Sequence, residues 1–212
     1  MIPTVSGVGS QWANSADLYV GGDASGPAGN GTLIVKNGGH VGVTNLLKVY
    51  STGAVSLAGG LINASTLDLE GGSLSGWGVV NGEITGGSTI TATGGPLLLG
   101  NVESTQGYDF NGSIDVQDSA SLLIFDLDEA QLGTQTTLTN GLLVARGSVE
   151  LDSTDVISGY GIIIGSITGS GSVDIATNPS GTVRFAGELG IKSDTAKIHS
   201  VGFAELSGAV TN

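Results

Sequence analysis

Residues 31–60, GTLIVKNGGHVGVTNLLKVYSTGAVSLAGG, hold four short apolar runs, TLIV, HVGV, LLKVY and AVSL, separated by turns rich in Gly, Asn, Ser and Thr. No run is long enough, or spaced at 3.6 residues, to form a helix; each has the size of a short strand. Within them Leu33/Val35, Leu47/Val49 and Val55/Leu57 lie two residues apart, with Ser56 and Lys48 between partners and Lys36 just beyond. Side chains two apart share a face of a strand, so the aliphatic pairs point inward and the polar partners outward. The same kind of run returns as LDLE, SIDV, LLIFDLD, GLLVA, SVEL, GIIIG, SVDIA and TVRFAG. A pattern that returns at short intervals is the signature of a solenoid.

The spacing favours parallel stacking over antiparallel hairpins. Hairpins are marked by two-residue turns between longer alternating strands, whereas here runs of about three to five residues have turn chemistry in nearly every gap. Such short strands bury little alone and need stacked neighbours to complete a core. The expected fold is therefore all-β, a right-handed single-stranded parallel β-helix. At roughly 20 residues per coil the chain makes on the order of ten coils, a rod about 50 Å long at the ~4.8 Å strand spacing. A two-sheet sandwich is the alternative. One domain spans 1–212, with 1–17 as a lead-in anchored by Trp12 and two loosely similar halves, 18–106 and 107–212. Leu18–Val20 is the first expected strand, and Gly21 to Gly31 is a loop that Pro27 keeps out of any strand interior.

Composition agrees. The 212 residues include 38 glycines, 39% hydrophobic residues and only 12% charged ones, which is not a disordered composition. Glycine without a three-residue period excludes collagen. Nineteen acidic and six basic residues give a net charge of −13, a field that repels nucleic acid and anionic membranes. Thirteen of the acids lie in 107–212, so that half is the expected place for cations or basic partners. The absence of cysteine rules out disulfide and thiol chemistry. No apolar stretch reaches bilayer-spanning length and no signal peptide precedes Ile2. The chain reads as a mature form, an excised domain with an added Met1, or a protein that is not secreted.

Three segments carry a more specific likeness. They are LYVGG from Leu18, GTLIVKNGGHVGV from Gly31 and LDLEGGSLSGWGVVNGEI from Leu67. Together they resemble the autotransporter-type and PEP-CTERM-associated repeat, whose consensus reads roughly LxVGxxGxGTLTVxNGGxVS followed by LxGxGTVxGxV. A looser copy of the closing motif is ISGYGIIIGSI from Ile157, and LSGAV from Leu206 is a third fragment. The match covers Leu18 to Ile84 closely and Phe110 to Ile175 loosely. The resemblance implies a right-handed β-helix of bacterial exported or surface-displayed proteins, without an active site to carry over. Gly42 stands where that pattern has serine, and Gly94-Gly95-Pro96 closes it differently, leaving the coil register between Thr93 and Asn111 open.

Each candidate for chemistry has a plain structural counterpart. Asp126 and Asp128 alternate on one strand face beside Glu129, with Asp109, Asp115 and Asp118 upstream. Such a carboxylate ladder is the chain's candidate for Ca²⁺, against a solvated acidic face. The calcium-loading nonapeptide repeat is absent. Carboxylate pairs such as Glu150 and Asp152 supply one ingredient of glycoside hydrolysis, while Arg146, Arg184, Lys192 and Lys197 are too scattered to hold a sugar acid. His40 and His199 are each alone, and the glycine pairs open no helix that would cradle phosphate. Thr89, Thr91 and Thr93 form one threonine row of the kind found on ice-binding solenoids, which would need repetition coil after coil. In Ser121–Asp128, Leu123, Phe125 and Leu127 take one face and Leu122 and Ile124 the other. Likewise Ile162, Ile163 and Ile164 cannot all point inward. Outward aliphatics on a rod imply a covered face, under a loop of the same chain or against another subunit.

The functional expectation is a structural, non-catalytic scaffold of a bacterial extracellular or cell-surface protein, with no resident cofactor. Open coil ends pair with other chains unless capped, so head-to-tail stacking into a filament, or continuation in a longer parent protein, is expected. The alternative is a carbohydrate-binding or carbohydrate-cleaving β-helix that engages a cell-surface polysaccharide through Tyr50, Trp77, Tyr108 and Tyr160.

Overall fold

A computed structural model describes residues 1–100, 108–117, 119–125, 129–175, 182–186, 189–191, 198–200, 203–206 and 210–211. These residues contain no helix. Their strands pair in parallel, winding upon winding, as a β-solenoid of about six turns. That pairing excludes the antiparallel sandwich.

Each winding contributes to three ladders, so the rod has three faces. On the first, Thr4–Ser6 pairs with Gly31–Lys36, which pairs onward with residues 53–59, 73–77, 89–92, 113–116, 135–139 and 156–160 in turn. On the second, Gln11–Asn14 leads to residues 40–43, 61–63, 78–80, 97–99, 122–124 and 142–144. On the third, Leu18–Val20 leads to residues 47–49, 67–69, 84–86, 108–110 and onward.

Alternation decides which side chains go in. Leu33, Val55, Leu74 and Ile90 stack from the first face, Val41, Ile62, Val80 and Leu99 from the second, and Leu47, Leu67 and Ile84 from the third, all fully buried. Each such side chain contributes about 1.5–3 kcal/mol by leaving water, and each lies on its equivalent one winding away. No strand could bury its own apolar side without those neighbours.

Strands are longer than the runs foretold: Gly53–Glu70 spans 18 residues and Gln135–Leu151 spans 17. The chain turns corners without leaving the ladder, and the register shifts between Ala58 and Gly60 and between Asn63 and Thr66 mark those corners. A local bulge bends a strand while preserving the pairing on either side.

The closing motif gains a physical reason here. In LSGWG and ISGYG the chain presses onto the winding beneath it. A Cβ at Gly76 would lie 1.9 Å from Leu57 O, and one at Gly159 would lie 2.0 Å from Leu138 O. The second glycines repeat the contact, Gly78 against Gly60 O and Gly161 against Gly141 O. All four have positive φ, from 98° to 158°.

Three expectations need revision or completion. Thr4–Ser6 and Gln11–Asn14 are not a lead-in but paired strands of the first winding. With Val5 as the lone inward aliphatic between exposed neighbours, the first of these strands carries little pattern of its own, and the ladder beneath decides. The loop after Gly21 contains a small antiparallel hairpin, Gly22–Asp23 with Gly26–Pro27. At the open register, Ala92 pairs with Gly76 and Leu97 with Gly78, so residues 93–96 occupy the place of Trp77 alone. Gly94 and Gly95 lie against its indole. Residues 101–107, the rest of that uncertain stretch, lie outside the described residues.

Candidate functional site

Outward residues stack as strictly as inward ones, and each face carries a different chemistry. On the first face Ser56, Ser75, Thr91, Asp115, Thr137 and Ser158 stand in register. On the third, Tyr19, Lys48, Asp68, Thr85 and Asp109 form the outward column, continued by Gln131 and Glu150. On the second, His40 leads into Leu61, Val79, Leu98, Leu123 and Val144, then Ile164.

A polar arrangement lies at the start of the second face. Asn14, His40, Thr44, Asn63, Ser65 and Asn81 line an open groove of about 610 Å³ with glycine and alanine between them. Asn63 Nδ2 and His40 Nε2 are 3.0 Å apart, with the amide donating when the imidazole carries its proton on Nδ1. A Cβ at Gly42 would meet only His40 Nε2, at 3.9 Å, an ordinary contact, so the approach of the ring to Asn63 does not itself require glycine there. Ser65 Oγ donates to Thr44 O at 2.7 Å, and Thr44 Oγ1 to Asn14 O at 3.2 Å, which ties three windings together. Asn63 Oδ1 is buried and has no partner among the described residues. A buried carbonyl without a donor costs about 1–3 kcal/mol, and the groove could satisfy it with an incoming O–H or N–H group. No formal charge lines the groove, so its hydrogen-bonding capacity suits a neutral ligand.

The third face holds the clearest electrostatic cluster. Lys48 Nζ lies 3.0 Å from Asp68 Oδ2 and also contacts Glu70 Oε2. The bonds to Glu70 and then Asp68 hold its ammonium well above the usual lysine range. The same Nζ sits 5.5 Å from the Tyr50 ring centroid, and Tyr50 stacks on Tyr19 at 6.3 Å. Tyr19 donates to Asp17 at 3.0 Å, a bond that raises the pKa of its phenol. These interactions fasten the first windings side to side.

Asp155 differs, being almost buried in a turn. Its Oδ2 accepts from Asp152 N at 2.8 Å. Burial pushes its carboxyl up, opposed by that hydrogen bond.

The sequence candidates scatter. Asp126, Asp128 and Asp118 lie outside the described residues. Asp109 faces out from the third face and Asp115 from the first, so those two do not converge. Among the described residues no three of His, Asp and Glu are grouped to hold a metal. Glu150 is on a strand of the third face, while Asp152 is in the turn that follows. Of the four aromatics, Tyr50 is buried and donates to Asp23 O at 3.0 Å. Tyr108 is buried beside Phe110, its phenol pushed up by burial. Trp77 is 40% exposed at one corner, and Tyr160 packs against the core. They do not form a common groove. The threonine row pairs with Ser73 and Ser75 on one side and Ser113 and Asp115 on the other, so threonine does not repeat in adjacent windings and returns in that column only at Thr137.

Sequence reading missed the His40–Asn63 and Lys48–Asp68 pairs because each joins residues one winding apart, 23 positions in the first case. The two separations differ, 23 residues for His40–Asn63 and 20 for Lys48–Asp68, because the corners vary in length, so no fixed period aligns both pairs. No family model, curated protein or solved structure matches this chain.

Proposed function

We propose that this chain is a structural, non-catalytic β-helix scaffold of a bacterial extracellular or cell-surface protein, similar to the autotransporter-type and PEP-CTERM-associated repeat proteins. Its helix is right-handed and has about ten windings. The ladder supports that count: the first-face pairs continue from residues 156–159 to 172–175 and then to Ile198–Ser200. Right-handed parallel crossovers are the sterically favoured hand.

The observation that carries the role is the character of the first winding. Thr4–Ser6, Gln11–Asn14 and Leu18–Val20 each pair on one edge only among the described residues. Beside them Trp12, Leu18, Val20 and Leu33 line an apolar socket of about 300 Å³. Unpaired parallel edges around an apolar opening accept another winding, supplied by a longer polypeptide or by a second copy stacking head to tail. Negative-stain microscopy of the purified chain, with and without chelator, tests this. Rods longer than one copy, indifferent to chelator, are expected. Single short particles at all concentrations, with protected first-winding amides, would overturn the stacking.

A second reading, binding of a neutral surface carbohydrate, is favoured by the buried Asn63 Oδ1 in the uncharged groove. Soluble neutral oligosaccharides should shift the Asn63 side-chain amide and His40 ring signals in NMR. Signals unmoved at millimolar sugar dismiss it.

A further inference from the structure

The second face carries an outward stripe of aliphatic side chains that the core does not use. Leu61, Val79, Leu98, Leu123, Val144 and Ile164 stand in register over six consecutive windings. Beside the stripe Leu142 pairs with Ile162, and Ile162 and Ile164 are each 41% exposed. Aliphatics alternate with buried ones here, so both sides of these strands are apolar, the pattern of a sheet covered on both faces.

We infer that this stripe is a lateral docking surface for a second copy of the same chain, giving a closed pair of rods side by side. Charge selects the occupant. The chain carries a net −13, and along the windings of the stripe the described strand acids stand on other faces, Asp68, Asp109 and Glu150 on the third and Asp115 on the first. Over these six windings the second face carries no carboxylate among the described residues, and Arg146 stands exposed at its edge; the next two windings place Arg184 and then Glu205 on that face. Two copies meeting through any other face would set acid against acid, whereas the stripe brings hydrocarbon to hydrocarbon. A basic partner would be drawn to the third face instead. A flat stripe is also complementary to itself under a twofold axis, so the contact closes at two.

Area sets the strength. Six windings at ~4.8 Å and four to five residues of strand width make a patch of about 29 by 15 Å, or roughly 900 Å² for both partners. That is below the ~1,200–2,000 Å² of a stable interface, so the pair is reversible, with a dissociation constant of about 10–100 μM. Screening of the mutual repulsion makes salt strengthen it. End-to-end stacking would produce an open series of lengths, so the two modes are separable.

Sedimentation velocity from 1 to 300 μM tests the proposal. The expected result is a monomer–dimer equilibrium that tightens with salt, weakened about a hundredfold or more by I162D combined with I164D. A wild-type chain that remains monomeric throughout, or a double variant that pairs as before, overturns it. Should the double variant fail to fold, the cysteine-free chain permits a second measurement with Leu123→Cys against Thr85→Cys on the third face. Disulfide-linked dimers from Leu123→Cys and not from Thr85→Cys support the pair. Two results refute the second copy as occupant. A thiol at 123 that resists maleimide in a monomer assigns the cover to the chain's own segment, and one that reacts freely without cross-linking leaves the face to a different protein.

Discussion

Replacing Gly76 by alanine tests the closeness of the windings more sharply than any core truncation. A Cβ at Gly76 would sit 1.9 Å from Leu57 O, and real Cβ contacts essentially never fall below 3.0 Å. The strand at Gly76 must therefore retreat by at least about 1.1 Å. A ladder bond near 2.9 Å does not survive that movement. Losing one or two such bonds, with the groups left buried, costs about 1–3 kcal/mol each, and the φ of 110° adds about 1–2 kcal/mol for an L-residue. The total is about 2–8 kcal/mol against a typical stability of about 5–15. Gly29→Ala is the control, because its φ is 70° but nothing lies within 4 Å of the new methyl, leaving about 1 kcal/mol of backbone strain. Urea unfolding followed by far-UV circular dichroism should separate them by about 1 M or more in midpoint. Gly159→Ala should behave like Gly76→Ala, since its methyl meets Leu138 O at 2.0 Å. If Gly76→Ala and Gly29→Ala shift the midpoint equally, the inter-winding contact is not what requires glycine, and the explanation of the closing motif fails.

Leu67→Ala should cost about 2–5 kcal/mol through the cavity it leaves, because Leu67 is fully buried between Leu47 and Ile84. The same truncation at outward Leu98 should cost less than half as much in dilute solution, and the pair of unfolding curves checks this. Asp155→Asn should leave the melting temperature at pH 7 unchanged or higher. The folded-state pKa of Asp155 is raised by burial, so its stabilising, protonated form is present at acid pH and lost as pH rises from the unfolded value through the folded one. Asparagine keeps an acceptor for the Asp152 amide, and its advantage should shrink below pH 4; a clear loss of stability at pH 7 would contradict this. Lys48→Met should cost under about 1 kcal/mol at low salt and nearly nothing at 1 M salt, measured by the same melts. A large salt-independent loss would show that the Asp68 and Glu70 contacts are not what matters.

The parallel stack was legible because the inward code is local. Leu33/Val35 and Leu67/Leu69 announce a strand and its buried side without knowledge of any partner, and all four are fully buried. The doubled aliphatic run was legible as two apolar faces, but not which of them turns inward: Leu122 and Ile124 are buried while Leu123 and Phe125 point out. Thr4–Ser6 escaped notice because its place depends on the ladder to Gly31–Lys36. The candidate site was nearly illegible. His40 looked solitary, and only the register that sets Gly42 beside Asn63 explains how its ring finds an amide 23 residues on. Corner bulges add or remove residues between windings, as the four residues opposite Trp77 do, so no fixed period predicts such neighbours.

One core serving three unlike surfaces follows from how the stack divides its constraints. An inward side chain must match the winding above and the winding below, which confines Val41, Ile62 and Val80 to similar aliphatic volumes. An outward side chain answers only to its column, so a column can become acidic, hydroxylated or aliphatic without disturbing the interior. Because the columns repeat at about 4.8 Å, a property shared by successive windings grows into a continuous strip. The aliphatic strip of the second face owes its reach to this, although none of its six residues is part of the buried core. Stability and association are thereby uncoupled: Ile163 and Ile164 are adjacent, yet truncating the first should destabilise the rod, and truncating the second should alter what the rod touches.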